Sequence, residues 1–480
     1  MSETTKPDSE NKSSKSLKCN VKNMILLQQA LQEDVLSTWP LKKRFSSLRD
    51  LHLDKNNFWS VIKHENNERL QKTTEKVLQG KTVNVVVYGG SNTAGGGLQE
   101  DEKSIKGRFP IILQSWWDSV ITPATGSRLN IKIIGIGGTS SSYYQFCYKV
   151  YLHHNNIDLV ILDSSVNDGV ALRFKHSTNI NQSLPLEQFT RQLLNDPNNP
   201  AVMFVNFFLT TKTRRGCFNL INLGQSLVSN HYNITTFDLR NLACEFKSGK
   251  FHITAKTAKY QTKDKYHMSL LGHAQTTFMI IQVIRKSIRK LLNDSHVLTN
   301  KTIYDCTATS NVSIHEPIPP AKYIKPISSV IKNPLCWTGL APDKKYMIRN
   351  TLKVSVLKRK GFDYTEQVPI LSPRHRGKAY RTDCFSCWCG TKKGSEITFS
   401  FEAPDHSSVS IFTRSNRDSG ELEVWLDNDI EKRIRIYPKN RNRQTVVVAV
   451  AAGVTSGNHT LTVRITKDGN IPVVGIAVAE

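Results

Sequence analysis

Nowhere does this 480-residue sequence hold the roughly 18 consecutive apolar residues that a bilayer-spanning helix needs; its longest apolar cluster, VVVAVAA at 446–452, has the length of a strand. The first twenty residues, MSETTKPDSENKSSKSLKCN, lack an apolar core, so no signal peptide is expected and this stretch reads as a polar tail. Acidic residues are also in short supply. Forty Asp and Glu face 65 Lys and Arg, leaving a formal charge of +25. That excess favours acidic polymers through summed Coulomb attraction that salt screens. The basic residues form no long tract and no nucleic-acid motif, so specific nucleic-acid binding is not expected, whereas an acidic glycan stays open as a partner. Oligomeric state is not legible.

The nine cysteines do not complete a zinc site. Cys384-Phe-Ser-Cys387-Trp-Cys389 has metal-like spacing, but no second C-x-x-C or H-x-x-x-H pair accompanies it. Disulfides within the C-terminal half, for example between Cys306 and Cys336, fit equally well. N-x-S/T sequons stand at Asn11, Asn181, Asn233, Asn293, Asn300, Asn311 and Asn458. The compartment therefore stays undecided, with a secreted or lumenal location open.

The length exceeds what one core usually organises, and the periodicity changes along the chain. Residues 1–80 read as a tail followed by helical patches that pack on what comes next. From 81 to 294 strands and helices alternate: KTVNVVVY, LNIKIIGI, IDLVILDS, NPAVMFVNFFLT and ITTFDL as strands, with helices between and a long amphipathic helix from Met268. This rhythm predicts a parallel sheet with helices on both faces, whose sites lie beyond the carboxyl ends of the strands. Residues 295–335, rich in Asn, Ser, Thr and Pro, read as a linker. From 336 to 480 the period becomes two, with seven short strands that predict an antiparallel β-sandwich.

The first strand runs into Gly89-Gly90-Ser91-Asn92-Thr93-Ala94-Gly95. A phosphate loop would end in Gly-Lys-Ser/Thr, and here Leu98 follows the glycines; the spacing of a dinucleotide fingerprint is absent as well. What remains is a serine just past a buried strand, flanked by glycines that let backbone approach a ligand. The second strand ends at Gly135-Ile-Gly137-Gly138, the third at Ser164-Ser165-Val166-Asn167-Asp168, and Asp264-Lys-Tyr-His267 follows much later. A hydroxyl, an imidazole, a carboxylate and hydrogen-bond donors for an oxyanion are the parts of an acyl-transfer site.

These blocks resemble the SGNH hydrolases, the GDSL-type esterase and lipase superfamily. G-D-S-x-T-x-G matches residues 89–95 with Gly90 in place of the aspartate; G-x-N-D matches 165–168 with Ser165 in place of glycine, a change expected to strain the turn; D-x-x-H matches Asp264 and His267. The resemblance covers roughly residues 81–293. It implies a three-layer α/β/α, flavodoxin-like domain in which Ser91 is the nucleophile, His267 the base and Asp264 the residue orienting it. It implies an oxyanion hole from the N–H groups of Ser91 and Gly138 (Gly137 being the neighbouring alternative) and the amide of Asn167. Gly90 and Asp168 would lie behind these groups, and no metal or cofactor is required. His273 reads as a packing residue. The sandwich, with Trp388 and Trp425, loosely resembles jelly-roll modules found beside carbohydrate esterases. A short-acyl esterase acting on a glycan is the expectation; a degenerate hydrolase that binds glycans or acts as a scaffold is the alternative.

Overall fold

The computed structural model describes residues 18–54, 58–65, 67–99, 102–103, 107–152, 156–171, 183–211, 214–218, 225–248, 250–252, 259–260, 267–294, 303–305, 317–324, 330–365, 386–438 and 443–480. The fold is an α/β domain joined to an antiparallel β-sandwich.

Six strands build the α/β sheet: β1 (Ile62–Lys63), β2 (Val83–Gly89), β3 (Leu129–Gly135), β4 (Leu159–Asp163), β5 (Ala201–Asn206) and β6 (Thr235–Asp238). Their order across the sheet is β1-β6-β5-β4-β2-β3, parallel throughout except for β1, which runs antiparallel to β6. The apolar runs are continuous rather than alternating because both faces are covered. Val83, Val85 and Val87 enter one core, with Leu159, Ile161, Met203 and Val205. Val86 and Tyr88 enter the other, with Val160, Leu162, Val202 and Phe204. Helices α1 (Val21–Gln32), α2 (Glu68–Leu78) and α3 (Phe109–Thr125) cover the first face together with the long helix Leu270–Asp294. Helices α4 (Ser141–Cys147) and α6 (Ser183–Leu194) cover the second, and the short α5 (Ser165–Ala171) follows β4. Residues 21–80 thus share the first core: Met24, Leu27 and Leu31 are buried in it, and β1 extends the sheet. Among the described residues no helix is long and apolar enough to cross a membrane.

The sandwich strands are β7 (Leu335–Thr338), β8 (Val354–Lys360), β9 (Phe362–Thr365), β10 (Cys387–Gly390), β11 (Glu396–Ala403), β12 (Ser407–Ser415), β13 (Glu421–Leu426), β14 (Ile434–Ile436), β15 (Gln444–Val454), β16 (Gly457–Lys467) and β17 (Ile471–Ala479). One sheet runs β9-β10-β17-β12-β15, with β7 also paired to β17; the other runs β8-β11-β16-β13-β14. The periodicity gave seven of these strands; β7–β10 were missed.

A sandwich sheet usually turns one face to water, yet every residue of β17 is buried. Ile471, Val473, Ile476 and Val478 point into the sandwich core, while Val474, Ala477 and Ala479 join the core beneath α4 and α6. The α/β domain covers what would be the outer face of this sheet. Tyr143 and Phe146 of α4 pack on Phe412 of β12 with ring centroids 5.5 and 6.0 Å apart. A disulfide links Cys147 to Cys336, Cα to Cα 5.2 Å. The expected pairing of Cys336 inside the C-terminal half is therefore corrected: β7 runs against α4, which brings Cys147 within reach. Cys306 and Cys384 lie outside the described residues. Cys244 and Cys387 are also disulfide-bonded, so the 384–389 run is no free set of thiolates. Cys389 is a free thiol donating to Asn470 Oδ1 at 2.7 Å, and burial pushes it up to about 11.

The linker is pinned where it crosses the α/β domain. The fully buried carboxylate of Glu187 accepts the consecutive N–H groups of Lys322, Tyr323 and Ile324 at 2.7, 2.7 and 2.8 Å, and the Tyr232 hydroxyl at 2.7 Å. Backbone donors converging on one anion offset the desolvation of the charge.

Candidate functional site

Strands β2, β3 and β4 are in register, with Gly89 beside both Gly135 and Asp163. Their following loops therefore emerge side by side at the carboxyl edge of the sheet. The loop after β2 is held from beneath. Asp163 Oδ2 accepts the N–H and hydroxyl of Thr93 at 3.2 and 2.8 Å, its carbonyl accepts Gly90 N–H at 3.3 Å, and the Tyr144 hydroxyl donates to Gly89 O at 2.8 Å. These bonds leave Ser91 half-buried at the crest of the turn.

Asn167 and His267 close on this crest from opposite elements. A Cβ built on Gly90 would fall 1.8 Å from Asn167 Nδ2, so the amide occupies the space a side chain would need. A Cβ on Gly96 would lie 2.8 Å from both Cδ2 and Nε2 of the His267 imidazole, and 2.8 Å from Ser91 O. Gly96 N–H in turn donates to Ser91 O at 2.6 Å. The residue after the histidine is tied to the same loop, Met268 N–H donating to Asn92 Oδ1 at 2.9 Å. Ser91, Asn167 and His267 are thus gathered around one turn. Gly138, buried at φ +73°, closes the loop after β3. Asp264 lies outside the described residues.

Asp168 sits behind this group. Its carboxylate accepts Ser141 N–H and hydroxyl at 2.7 and 2.9 Å, and the Ser164 hydroxyl and Gln225 amide at 2.8 Å each. It joins the starts of α4 and α5, and burial raises its pKa against the pull of those bonds. Ser165 is not strained: it opens α5 outside the positive-φ region, its hydroxyl donating to Phe207 O at 3.0 Å. The expected cost of replacing the glycine is absent, because the chain turns directly into a helix there.

Asp163 was not singled out from the sequence, although a carboxylate ending a buried apolar strand is a signal for it. Burial pushes it up to about 7, and the nearby His267 pulls the other way. His273 is fully buried, stacked on Phe109 with centroids 6.1 Å apart, and its Nδ1 accepts Phe109 N–H at 3.4 Å. Burial, then the charges of His267 and Arg108, depress it to about 3, so it stays neutral. In the sandwich, Trp425 is buried with Arg464 over its ring at 4.9 Å, leaving no open face for a ligand. Trp388 is half-buried, with Arg359 over its ring at 5.4 Å. Among the described residues no cluster of three or more His, Cys, Asp or Glu side chains gathers as metal ligands would.

Fold and site together define a two-domain architecture: an α/β domain presenting serine, histidine and asparagine at the carboxyl edge of its sheet, docked on a β-sandwich. Two crystal structures of a two-domain esterase active on acetylated mannans are similar to this chain in fold. The first matches with a TM-score of 0.56 at 18% identity, covering 87% of this chain and 99% of that one. The second, co-crystallised with mannopentaose, matches with a TM-score of 0.55 at 17% identity, covering 87% of this chain and 98% of that one. The likeness is one of fold. No family model matches the sequence, and no curated protein does.

Proposed function

We propose that this chain is a serine esterase of the SGNH type that removes acetyl or other short acyl groups from a glycan. The observation that carries the reading is the closure of the Asn167 amide and the His267 imidazole on the Ser91 turn. In this reading Ser91 Oγ attacks the ester carbonyl carbon while His267 takes its proton. Asp264 holds the imidazole in the productive tautomer. The negative charge forming on the carbonyl oxygen is met by the N–H groups of Ser91 and Gly138 and the amide of Asn167. The C–O bond to the alcohol breaks as His267 returns the proton to the leaving oxygen, and an acyl-serine remains. Water, deprotonated by His267, then releases the acid and restores Ser91.

The glycan as alcohol is supported by the shared two-domain fold, whose crystallised representative is active on acetylated mannans, and an acidic glycan by the charge of +25. Among the described residues, the disulfide-bonded state of Cys147, Cys336, Cys244 and Cys387 supports an oxidising compartment, secreted or lumenal.

The test is hydrolysis of p-nitrophenyl acetate, butyrate and a longer-chain ester by wild type and Ser91→Ala, with labelling by a fluorophosphonate. Activity and label are expected in the wild type, with kcat reduced on the order of 10⁴-fold or more in Ser91→Ala. Preference for the acetate supports deacetylation. A folded wild type that neither turns over nor labels overturns the reading in favour of a glycan-binding protein on a hydrolase fold.

A further inference from the structure

The edge strand β15 belongs to the sandwich, yet its first residues lie on the loop that carries Gly138. Thr445 N–H donates to Gly138 O at 2.8 Å. A Cβ at Gly138 would fall 2.2 Å from Arg443 O and 3.2 Å from Gln444 Cα. The same strand packs on α5, the helix bearing Asn167. An edge strand offers N–H and C=O groups that something must cover. Here the cover is the loop of another domain. We propose that β15 is a positioning element of the oxyanion site: Thr445 N–H and Arg443 C=O hold Gly138 in its left-handed conformation and so aim its N–H. This rests on the esterase reading above.

The loop is tied to its own domain on either side of Gly138, with Ile136 N–H donating to Gly89 O at 3.0 Å and Thr139 Oγ1 lying 3.1 Å from the Tyr144 hydroxyl oxygen. Within the α/β domain the turn is closed by Thr139 N–H and hydroxyl donating to Ile136 O at 3.2 and 2.7 Å. Glycine moves freely between left- and right-handed conformations, so the direction of its N–H depends on what clamps the flanking peptides. The bond from Thr445 fixes the peptide after Gly138, and Arg443 C=O blocks the side a Cβ would occupy. The clamp itself is stiff. Arg414, buried on β12, donates from Nη1 to Thr445 Oγ1 at 2.8 Å. The shared core and the Cys147–Cys336 bond keep the sandwich from moving against α4.

Thr445→Pro removes the N–H, and because that N–H points away from β12, the β12–β15 ladder keeps its bonds. Thr445→Val, which keeps the N–H and lacks the hydroxyl, is the control. A misaimed oxyanion donor acts on the transition state, so kcat for p-nitrophenyl acetate is expected to fall ~10- to 100-fold in Thr445→Pro relative to Thr445→Val, with KM within about twofold. Fluorophosphonate labelling of Ser91 should slow in parallel, because its addition also places charge in the oxyanion site, while the melting temperatures of the two variants agree. Equal kcat and equal labelling in the two folded variants overturn the proposal and leave the esterase reading standing. A wild type that does not label overturns both. Should Thr445→Pro fail to fold, hydrogen exchange at the Thr445 amide of wild type decides. Exchange slowed further by phosphonylation of Ser91 supports the clamp, and exchange indifferent to it overturns the clamp.

Discussion

His273 makes the stability of this protein depend on pH in a way that can be worked out from its surroundings. It is fully buried between Phe109 and Phe207, and its Nδ1 is engaged by Phe109 N–H. In the unfolded chain its pKa returns to the ordinary 6.5, whereas in the folded protein it is about 3. As pH falls through 6.5 the unfolded chain takes up a proton that the folded protein refuses, so stability is lost with falling pH, down to about pH 3. At about 1.4 kcal/mol per pH unit the full difference is roughly 5 kcal/mol, of the same order as the whole stability of many domains. His273→Asn keeps an acceptor for Phe109 N–H and removes the titration. Urea unfolding of wild type and His273→Asn at a series of pH values gives a difference profile in which other titrating groups cancel. At pH 7.5 the variant should be the less stable, having lost the ring stacking. Between pH 6.5 and 4 the wild type should lose about 1.4 kcal/mol per pH unit relative to the variant, so that their order reverses or nearly so. A flat difference profile would refute the reasoning, since it would mean that His273 is protonated equally in both states.

Asp163 acts with the opposite sign. Its folded pKa of about 7 lies above the ordinary 3.8, so its contribution is present below about pH 4 and lost as pH rises to about 7; unfolding of Asp163→Asn against wild type should show the variant gaining relative stability over that window. Gly90→Ala places a Cβ 1.8 Å from Asn167 Nδ2, and displacing that amide should lower kcat on the order of 10²-fold with an unchanged circular dichroism spectrum. Replacing Cys147 and Cys336 together by alanine frees a loop spanning 189 residues, which on chain-entropy grounds costs up to about 5 kcal/mol, read as a lower denaturation midpoint.

The α/β sheet was legible because its strands are buried on both faces, so they appear as apolar runs: VNVVVY, LVILD and AVMFVN can be little else. The neighbourhood of the candidate site was legible for a related reason. Parallel strands deliver their carboxyl ends to one edge, so Ser91, Gly138 and Asn167 could be placed together from strand ends alone. What escaped notice depends on pairing. β8, with the sequence VSVLKRK, is charged, and its register with β11 is what makes it a strand. β10 is four residues of Cys, Trp and Gly paired between β9 and β17. Arg443 and Thr445 could not be linked to Gly138 by any local pattern, because the contact joins two domains. Ser165 looked strained only while its conformation was that of a turn; in a helix it is ordinary.

The burial of β17 on both faces also orders events during synthesis. Val474, Ala477 and Ala479 complete the core under α4 and α6, so the α/β layer made earlier lacks part of its cover until this strand leaves the ribosome. The two domains therefore share one core, and neither half can bury all of its apolar surface without the other. The second half of the chain finishes the first, and a nascent protein halted before residue 471 would present an apolar face to whatever chaperone is at hand.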